Sequence, residues 1–387
     1  MVNSVAGSIA VTVKDEGNPT MPTSISEHEH KPEPGRTHSL GFESHIYVIS
    51  LPERQDRREP MERLRTALNL SWTIIDATPF TNPLIYGIFD WVVYQREQSP
   101  LGGGDPSTGI ETSTNSVFRW PREINALSVL THEPLLPSGS DVWTTQPPPL
   151  PVSIRPSSPS SPPPLMSAVD DYSMPTGILS DVHWMKLTPA RVACWYSHVS
   201  AIRTFIDRAD TQSEDVALFL EDDIDMEKDI ADRLSGIWKV LPTGWDIVLL
   251  GESTEIYFIS FQTEKNNCTT FIYEGHGWSN ESFYSPLSTP NTDLATHLHP
   301  SYAPKCTHAY ALSLPGARRL LQHLRYPPFA YSRALDHAFA WLIESGRLRA
   351  YSVVPSVVVQ RKDTPSDILP GMGSNRMEWL VNGVLGS

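Results

Sequence analysis

The chain has 387 residues, 40% of them hydrophobic, enough for one large domain or two ordinary ones with a sizeable core. Its formal net charge of −14 argues against a nucleic-acid or anionic-membrane surface as the main partner, so an anionic substrate would need local cations or a metal. The three cysteines, Cys194, Cys268 and Cys306, are widely spaced and form no CxxC pair; they suggest neither a zinc site nor a disulfide framework and read as ordinary buried thiols, with one bridge left open.

Taken from the start, residues 1–43 are polar with scattered Gly and Pro and read as a disordered tail. Within them SVAGSIAVTV (4–13) is short and lacks a basic lead, which makes it a poor signal peptide. No run reaches the roughly 18 apolar residues of a membrane span. On those grounds the expected location is cytoplasmic, with secretory-pathway association left open; the sequons at Asn69, Asn267 and Asn280 would matter only in a lumen.

HIYVIS (45–50) is a β-branched and aromatic run, read as a buried strand. Met61, Leu64 and Leu68 then repeat at helical spacing, and SWTIIDATP (71–79) reads as a second strand. This β-α-β opening predicts an α/β fold with a mostly parallel central sheet flanked by helices. The domain's first part spans 44–97, where the apolar piece 80–97 is expected against the core. Residues 98–175 are rich in Pro and Ser and read as a disordered insertion of polyproline character.

Order is expected to resume in 176–370. KLTPARVACWYSHVSAIRTFIDRA (186–209) reads as a helix with Thr188 at the N-cap, Pro189 at its first position, and a stripe of Val192, Trp195, Val199, Ile202 and Ile206. Strands are expected at 216–220, 246–250 and 308–313, and a last extended segment follows Gly346. Helices are expected at 228–241, from Pro315, and from a Ser332 cap. Residues 252–303 read as a long irregular loop, and the end of the chain, 371–387, as a loose tail.

ALFLEDDIDMEKD (217–229) carries the strongest chemical signal: a buried strand running into carboxylates. Like charges this close raise one another's pKa, and a divalent cation is the usual offset. In open α/β sheets ligands sit at the carboxyl ends of strands, where Glu221, Asp222 and Asp223 are placed. Continued alternation would put Glu221 and Asp223 on one side, able to hold Mg²⁺ or Mn²⁺ with substrate phosphates, and Asp222 on the other. Asp225, Glu227 and Asp229 read instead as acids suited to the start of the next helix.

Three further candidates stand beside it. Arg54, Arg57 and Arg58 crowd a predicted helix start, where the dipole disfavours cations unless an anion joins them; local pairing with Glu53, Asp56 and Glu59 is the plainer account. His198 in WYSHVS is a helix histidine beside a core stripe, a packed residue or a ligand. Asp336 in ALDHAFAW is a first-turn acid or, near a metal, a general base.

Several blocks, in order, resemble glycosyltransferase family 25, which includes lipooligosaccharide and procollagen galactosyltransferases. They are VISLPERQDRR (48–58), LTPARVACWYSH (187–198), LFLEDD (218–223), YALSLPGARRLL (310–321), RALDHAF (333–339) and a late Gln360 with Ser366–Ile368. Ala190 and Arg191 replace the family's usual Gly and Glu, and the proline before the family's late Asp is absent.

The resemblance implies a GT-A-like nucleotide-sugar transferase fold. It implies inverting transfer of a hexose, galactose above all, from a UDP-sugar to a hydroxyl of a glycan or glycoprotein acceptor, with Mn²⁺ or Mg²⁺. It carries Glu221 and Asp223 over as metal residues, Asp222, Arg54, Arg57, Arg58 and His198 as nucleotide-sugar residues, and Asp336 as the base. Two other classes remain: an inactive sugar-nucleotide-binding scaffold whose Pro-rich segment recruits partners, and a metal-dependent phosphohydrolase on the same acids. Acceptor and oligomeric state are not readable from the residues.

Overall fold

The computed structural model describes residues 40, 44–98, 187–208, 215–251, 257–261, 269–273, 296–301, 304, 307–326, 329–368 and 380–386. Among them the chain forms β1 (Ser44–Ser50), α1 (Gln55–Ala67), β2 (Thr73–Asp76), α2 (Pro83–Gln98), α3 (Pro189–Ile206), β3 (Val216–Glu221), β4 (Ile224–Met226), α4 (Ile230–Val240), β5 (Ile247–Leu249), β6 (Tyr257–Phe261), β7 (Thr269–Tyr273), β8 (His297–Pro300), β9 (Ala309–Ser313), α5 (Leu314–Arg325), α6 (Leu335–Glu344), β10 (Ala350–Val354) and β11 (Val358–Gln360). Of the tail read as 1–43, Leu40 is described and is not loose: it is fully buried in the core that α4 covers, its carbonyl accepting from Trp238 Nε1 at 2.7 Å; the rest of that tail and residues 99–175 of the insertion lie outside the described residues.

Seven strands make one mixed, mostly parallel sheet in the order β2-β1-β3-β9-β5-β10-β8. β1 pairs in parallel with β2 and β3, and β5 with β10. β9 runs antiparallel between β3 and β5, and β8 antiparallel on the edge beside β10. The architecture is α/β, as the opening pattern predicts.

Period-two alternation splits each central strand between two cores. Tyr47, Ile49, Phe219, Leu249, Tyr310 and Leu312 face one side, where α2, α3, α5 and α6 supply Ile85, Ile88, Trp195, Ile202, Leu320 and Phe339. Ile46, Val48, Leu218, Leu220, Val248 and Ala311 face the other, with Met61 and Leu64 of α1 and Leu234 and Ile237 of α4. Trp195 is fully buried against Phe329 and Tyr331, so its truncation would cost about 3–5 kcal/mol. Helix α3 is buried on almost every side, which is why its stripe is wider than the sequence suggests.

Local rules hold at several starts. Thr188 caps α3 by accepting from the Arg191 N–H, and Ser313 caps α5 by accepting from the Gly316 N–H. A Cβ on Gly316 would lie 2.1 Å from the Asp246 carbonyl oxygen, so the helix packs this close only with glycine there.

Four further expectations are corrected. Ser332 does not cap α6: the cap position is Ala334, with no side-chain hydrogen bond. The stretch read as one irregular loop contains the β6–β7 hairpin and the edge strand β8, whose HLHP sequence carries no β-branched signal. Asp225 and Glu227 do not open a helix; they lie in and just after β4, completely buried. The far end of the chain is not a loose tail throughout, since residues 380–386 pack onto β4, with Val384 and Leu385 against the second core.

Candidate functional site

Parallel strands β1 and β3 end side by side, with Ile49 opposite Glu221. Antiparallel β9 enters the sheet at the same edge, and the Glu221 N–H donates to the His308 carbonyl at 2.8 Å. The first half of α3 lies over this edge and β11, paired with β4, borders it. Together they line a cavity of about 110 Å³ bounded by Arg57, Thr78, Cys194, Ser197, His198, Glu221, Asp222, Asp223, Gln360, Ser366, Asp367 and apolar neighbours.

The strand stops at Glu221 and the chain bends at Asp222 and Asp223. The alternation expected of an extended chain is therefore broken, and all three acids line the same cavity. Each has its own supports. Glu221 Oε1 accepts from Thr307 Oγ1 at 2.7 Å and lies 3.5 Å from His198 Nε2. Asp222 accepts from Ser50 Oγ at 2.7 Å and from Arg57 Nη1 at 2.9 Å. Asp223 accepts from the Gln360 side-chain amide at 3.1 and 3.2 Å, and Arg57 Nη1 is 3.4 Å away.

These surroundings split the titration of neighbouring carboxylates. Burial alone would raise Glu221, but His198 and Thr307, with His308 nearby, hold it well below the usual range. Asp223 goes the other way, to about 6, through burial and then the charges of Glu221 and Asp222, against Arg57 and Lys362. Asp222 is also raised, by burial first, against Arg57 and Ser50. The cavity wall carries the carboxyl groups of Glu221, Asp222, Asp223 and Asp367 beside the guanidinium of Arg57.

His198 is both of the things its sequence setting allowed: a buried core residue and part of the cavity wall. Its Nδ1 is 2.9 Å from the Tyr310 hydroxyl, and the two rings stack. With the Nε2 proton toward Glu221, Nδ1 accepts from Tyr310 and each group is satisfied. Burial and the Glu221 charge raise the Tyr310 phenol far above its ordinary value, so it stays the donor.

The three arginines take different places. Arg57 lines the cavity and bridges Asp222 and Asp223. Arg58 points to β1 and β2, donating to Ser50 Oγ at 3.1 Å and Asp76 at 2.6 Å, and so braces the serine that holds Asp222. Arg54 pairs with Asp56, as local pairing foresees, and also with Asp367. Asp336 sits in the first turn of α6, half-buried, accepting from the His337 N–H at 2.9 Å. It does not line the cavity, yet its charge contributes to raising the Cys194 thiol, after burial and Glu221, and Cys194 does line it. The structure brings Arg57, His198, Glu221, Asp222 and Asp223 together and leaves Arg54, Arg58 and Asp336 around them.

Sequence reasoning passed over Ser50, Thr307 and Tyr310. Ser50 had a signal, a polar residue closing an apolar strand run; Thr307 and Tyr310 had none, because only the antiparallel insertion of β9 sets them beside β3. Among the described residues no three His, Cys, Asp or Glu side chains are grouped to hold a metal, and no helix is long and apolar enough to cross a membrane. Compared with known proteins, the chain matches no family model and no curated protein.

Proposed function

We propose that this chain is a GT-A-like glycosyltransferase that moves a hexose, galactose first among candidates, from a UDP-sugar to a hydroxyl of a glycan or glycoprotein, with inversion. One observation carries the reading: three carboxylates and Arg57 converge on a single cavity at the carboxyl ends of parallel strands β1 and β3. That edge is where open α/β sheets bind ligands.

Mn²⁺ or Mg²⁺ is the implied cofactor, and the donor set suits it. The cavity offers the carboxylate oxygens of Glu221, Asp222, Asp223 and Asp367 beside the guanidinium of Arg57. Such cations are commonly held by one or two carboxylates plus substrate phosphates, so a three-residue protein cage is not required. Glu221 and Asp223 would hold the ion, and when bound it neutralises charge on a leaving diphosphate. Thr307, His198 and Gln360 keep the two carboxylates oriented. Asp336 stands outside the cavity wall with its charge reaching Cys194; as the base it would take the proton of an acceptor hydroxyl brought between them, whose oxygen attacks the anomeric carbon as the bond to the diphosphate breaks on the opposite face.

A second reading rests on a specific contact. Arg57 already spans Asp222 and Asp223, and Gln360 occupies both oxygens of Asp223, which suits a sugar-nucleotide-binding protein without turnover. A donor screen following UDP release, with and without Mn²⁺ and acceptor, separates the two. Mn²⁺-dependent, acceptor-dependent release is expected. UDP binding without release would establish the second reading, and release that needs no acceptor would make the protein a phosphohydrolase. For the base, Asp336→Asn is expected to cut turnover by about 10²-fold with donor affinity unchanged, the scale of a lost general base. Normal turnover would return Asp336 to a purely structural first-turn acid.

A further inference from the structure

The segment from Arg361 to Ile368 follows β11 and lines the cavity with Ser366, Asp367 and Ile368. Its attachments are of an unusual kind. The Arg361 N–H donates to the Asp223 carbonyl at 2.6 Å, and further along two guanidinium groups hold the segment. Thr364 Oγ1 accepts from Arg54 Nη2 at 2.9 Å and from Arg57 Nε at 3.2 Å. The Pro365 carbonyl accepts from Arg57 Nη2 at 3.0 Å. The Asp367 carboxylate is ion-paired with Arg54 and lies 3.8 Å from Arg57 Nη2.

Arg54 keeps Nε and Nη2 on Asp56 and turns Nη1 to Asp367, while Arg57 turns Nη2 to the Pro365 carbonyl, so two neighbouring guanidiniums present N–H donors of the kind a phosphate group takes. The occupant is internal, and it is poorly protected: Asp367 is 37% exposed, whereas the Arg54 and Arg57 side chains are 13% and 11% exposed. The arginines are thus fixed in place and the carboxylate is the replaceable partner. Charge points the same way. Asp367 adds a fourth carboxylate to a cavity lined by Glu221, Asp222 and Asp223, with Arg57 as the guanidinium on its wall. An entering anion would be repelled by this set, and removing Asp367 both lowers that repulsion and uncovers the donors.

We infer that Arg54 and Arg57 form a binding site for a diphosphate-bearing anion and that Asp367 is its built-in competitor, a carboxylate the ligand must displace together with the 361–368 strap. The inference rests on the proposed nucleotide-sugar reading for the ligand's full identity, but its anion chemistry does not need the sugar.

The test is calorimetric titration of the full chain, at constant ionic strength, with inorganic pyrophosphate and separately with UDP-galactose. Asp367→Asn, at a half-exposed position, is expected to tighten pyrophosphate binding about two- to fivefold, the scale of one partly exposed ion pair. Adding Arg54→Gln to Asp367→Asn is expected to abolish that gain. Unchanged or weaker pyrophosphate binding in Asp367→Asn would overturn the inference, as would a gain that survives Arg54→Gln or the absence of pyrophosphate binding to either protein. Pyrophosphate binding that follows this pattern while UDP-galactose fails to bind would uphold the competitor and sink the glycosyl-donor reading instead.

Discussion

Residues 221–227 hold two sets of acids with opposite fates. Glu221, Asp222 and Asp223 face a cavity and hold mutually repelling charge, while Asp225 and Glu227, a few residues on, are buried and spent on the backbone. Asp225 accepts from the Leu385 N–H at 3.1 Å and the Met226 N–H at 2.8 Å. Glu227 accepts from the N–H groups of Val381 at 2.7 Å and Asn382 at 2.8 Å. A Cβ on Gly383 would lie 2.7 Å from Asp225, so the clasp closes tightly. The second set turns charge into hydrogen bonds and stabilises the fold. In the first, His198 and Thr307 hold Glu221 as a carboxylate, while burial raises Asp222 and Asp223 despite Arg57, leaving two acids whose ionised form a bound cation would favour.

The largest expected effect comes from breaking the clasp. Glu227→Ala removes two charge-assisted hydrogen bonds and should lower unfolding free energy by about 3 kcal/mol in denaturant titration. Folded protein at low temperature should keep its ligand affinity, because Glu227 does not line the cavity. A smaller stability loss than that of Ser50→Ala would mean that residues 380–386 contribute little.

Asp223→Asn should do the reverse: lose metal-dependent UDP affinity and gain stability. Because the folded pKa of about 6 exceeds the ordinary 3.8, Asp223's stabilising contribution is complete below pH 3.8 and lost as pH rises through about 6. The asparagine variant should therefore melt above wild type at pH 7–8, by on the order of 2 kcal/mol, with the gap closing toward pH 4. Mn²⁺ should narrow the gap at pH 7 by stabilising the wild type alone. Equal melting curves across that pH range would place Asp223 with the structural acids.

Ser50→Ala is the mildest test. It removes one hydrogen bond to Asp222 and should cost about 1 kcal/mol, with Arg57 still in place. A loss well beyond that would show that the Arg58–Ser50–Asp222 chain acts as a unit.

Much of this was legible in the residues because it depends on near neighbours. The apolar runs of β1, β3 and β5 are each long enough to be buried on both faces, the Thr188 and Ser313 caps act over three residues, and the acids at 221–223 stand at a strand end whatever surrounds it. Those local facts determined an α/β sheet, its helical layers and the edge where the acid-lined cavity forms. They could not separate Asp223 from Asp225, since both are acids beside buried apolar residues. That was decided by which distant segment arrives: Gln360 and Arg57 at the one, the backbone of 380–386 at the other. The placement of Thr307 and Tyr310 behind Glu221 and His198 is likewise a product of β9 inserting antiparallel between β3 and β5. Sequence carries charge and periodicity; the partners of Asp222 and Asp223 come from segments more than a hundred residues away, and that is a property of the folded sheet alone.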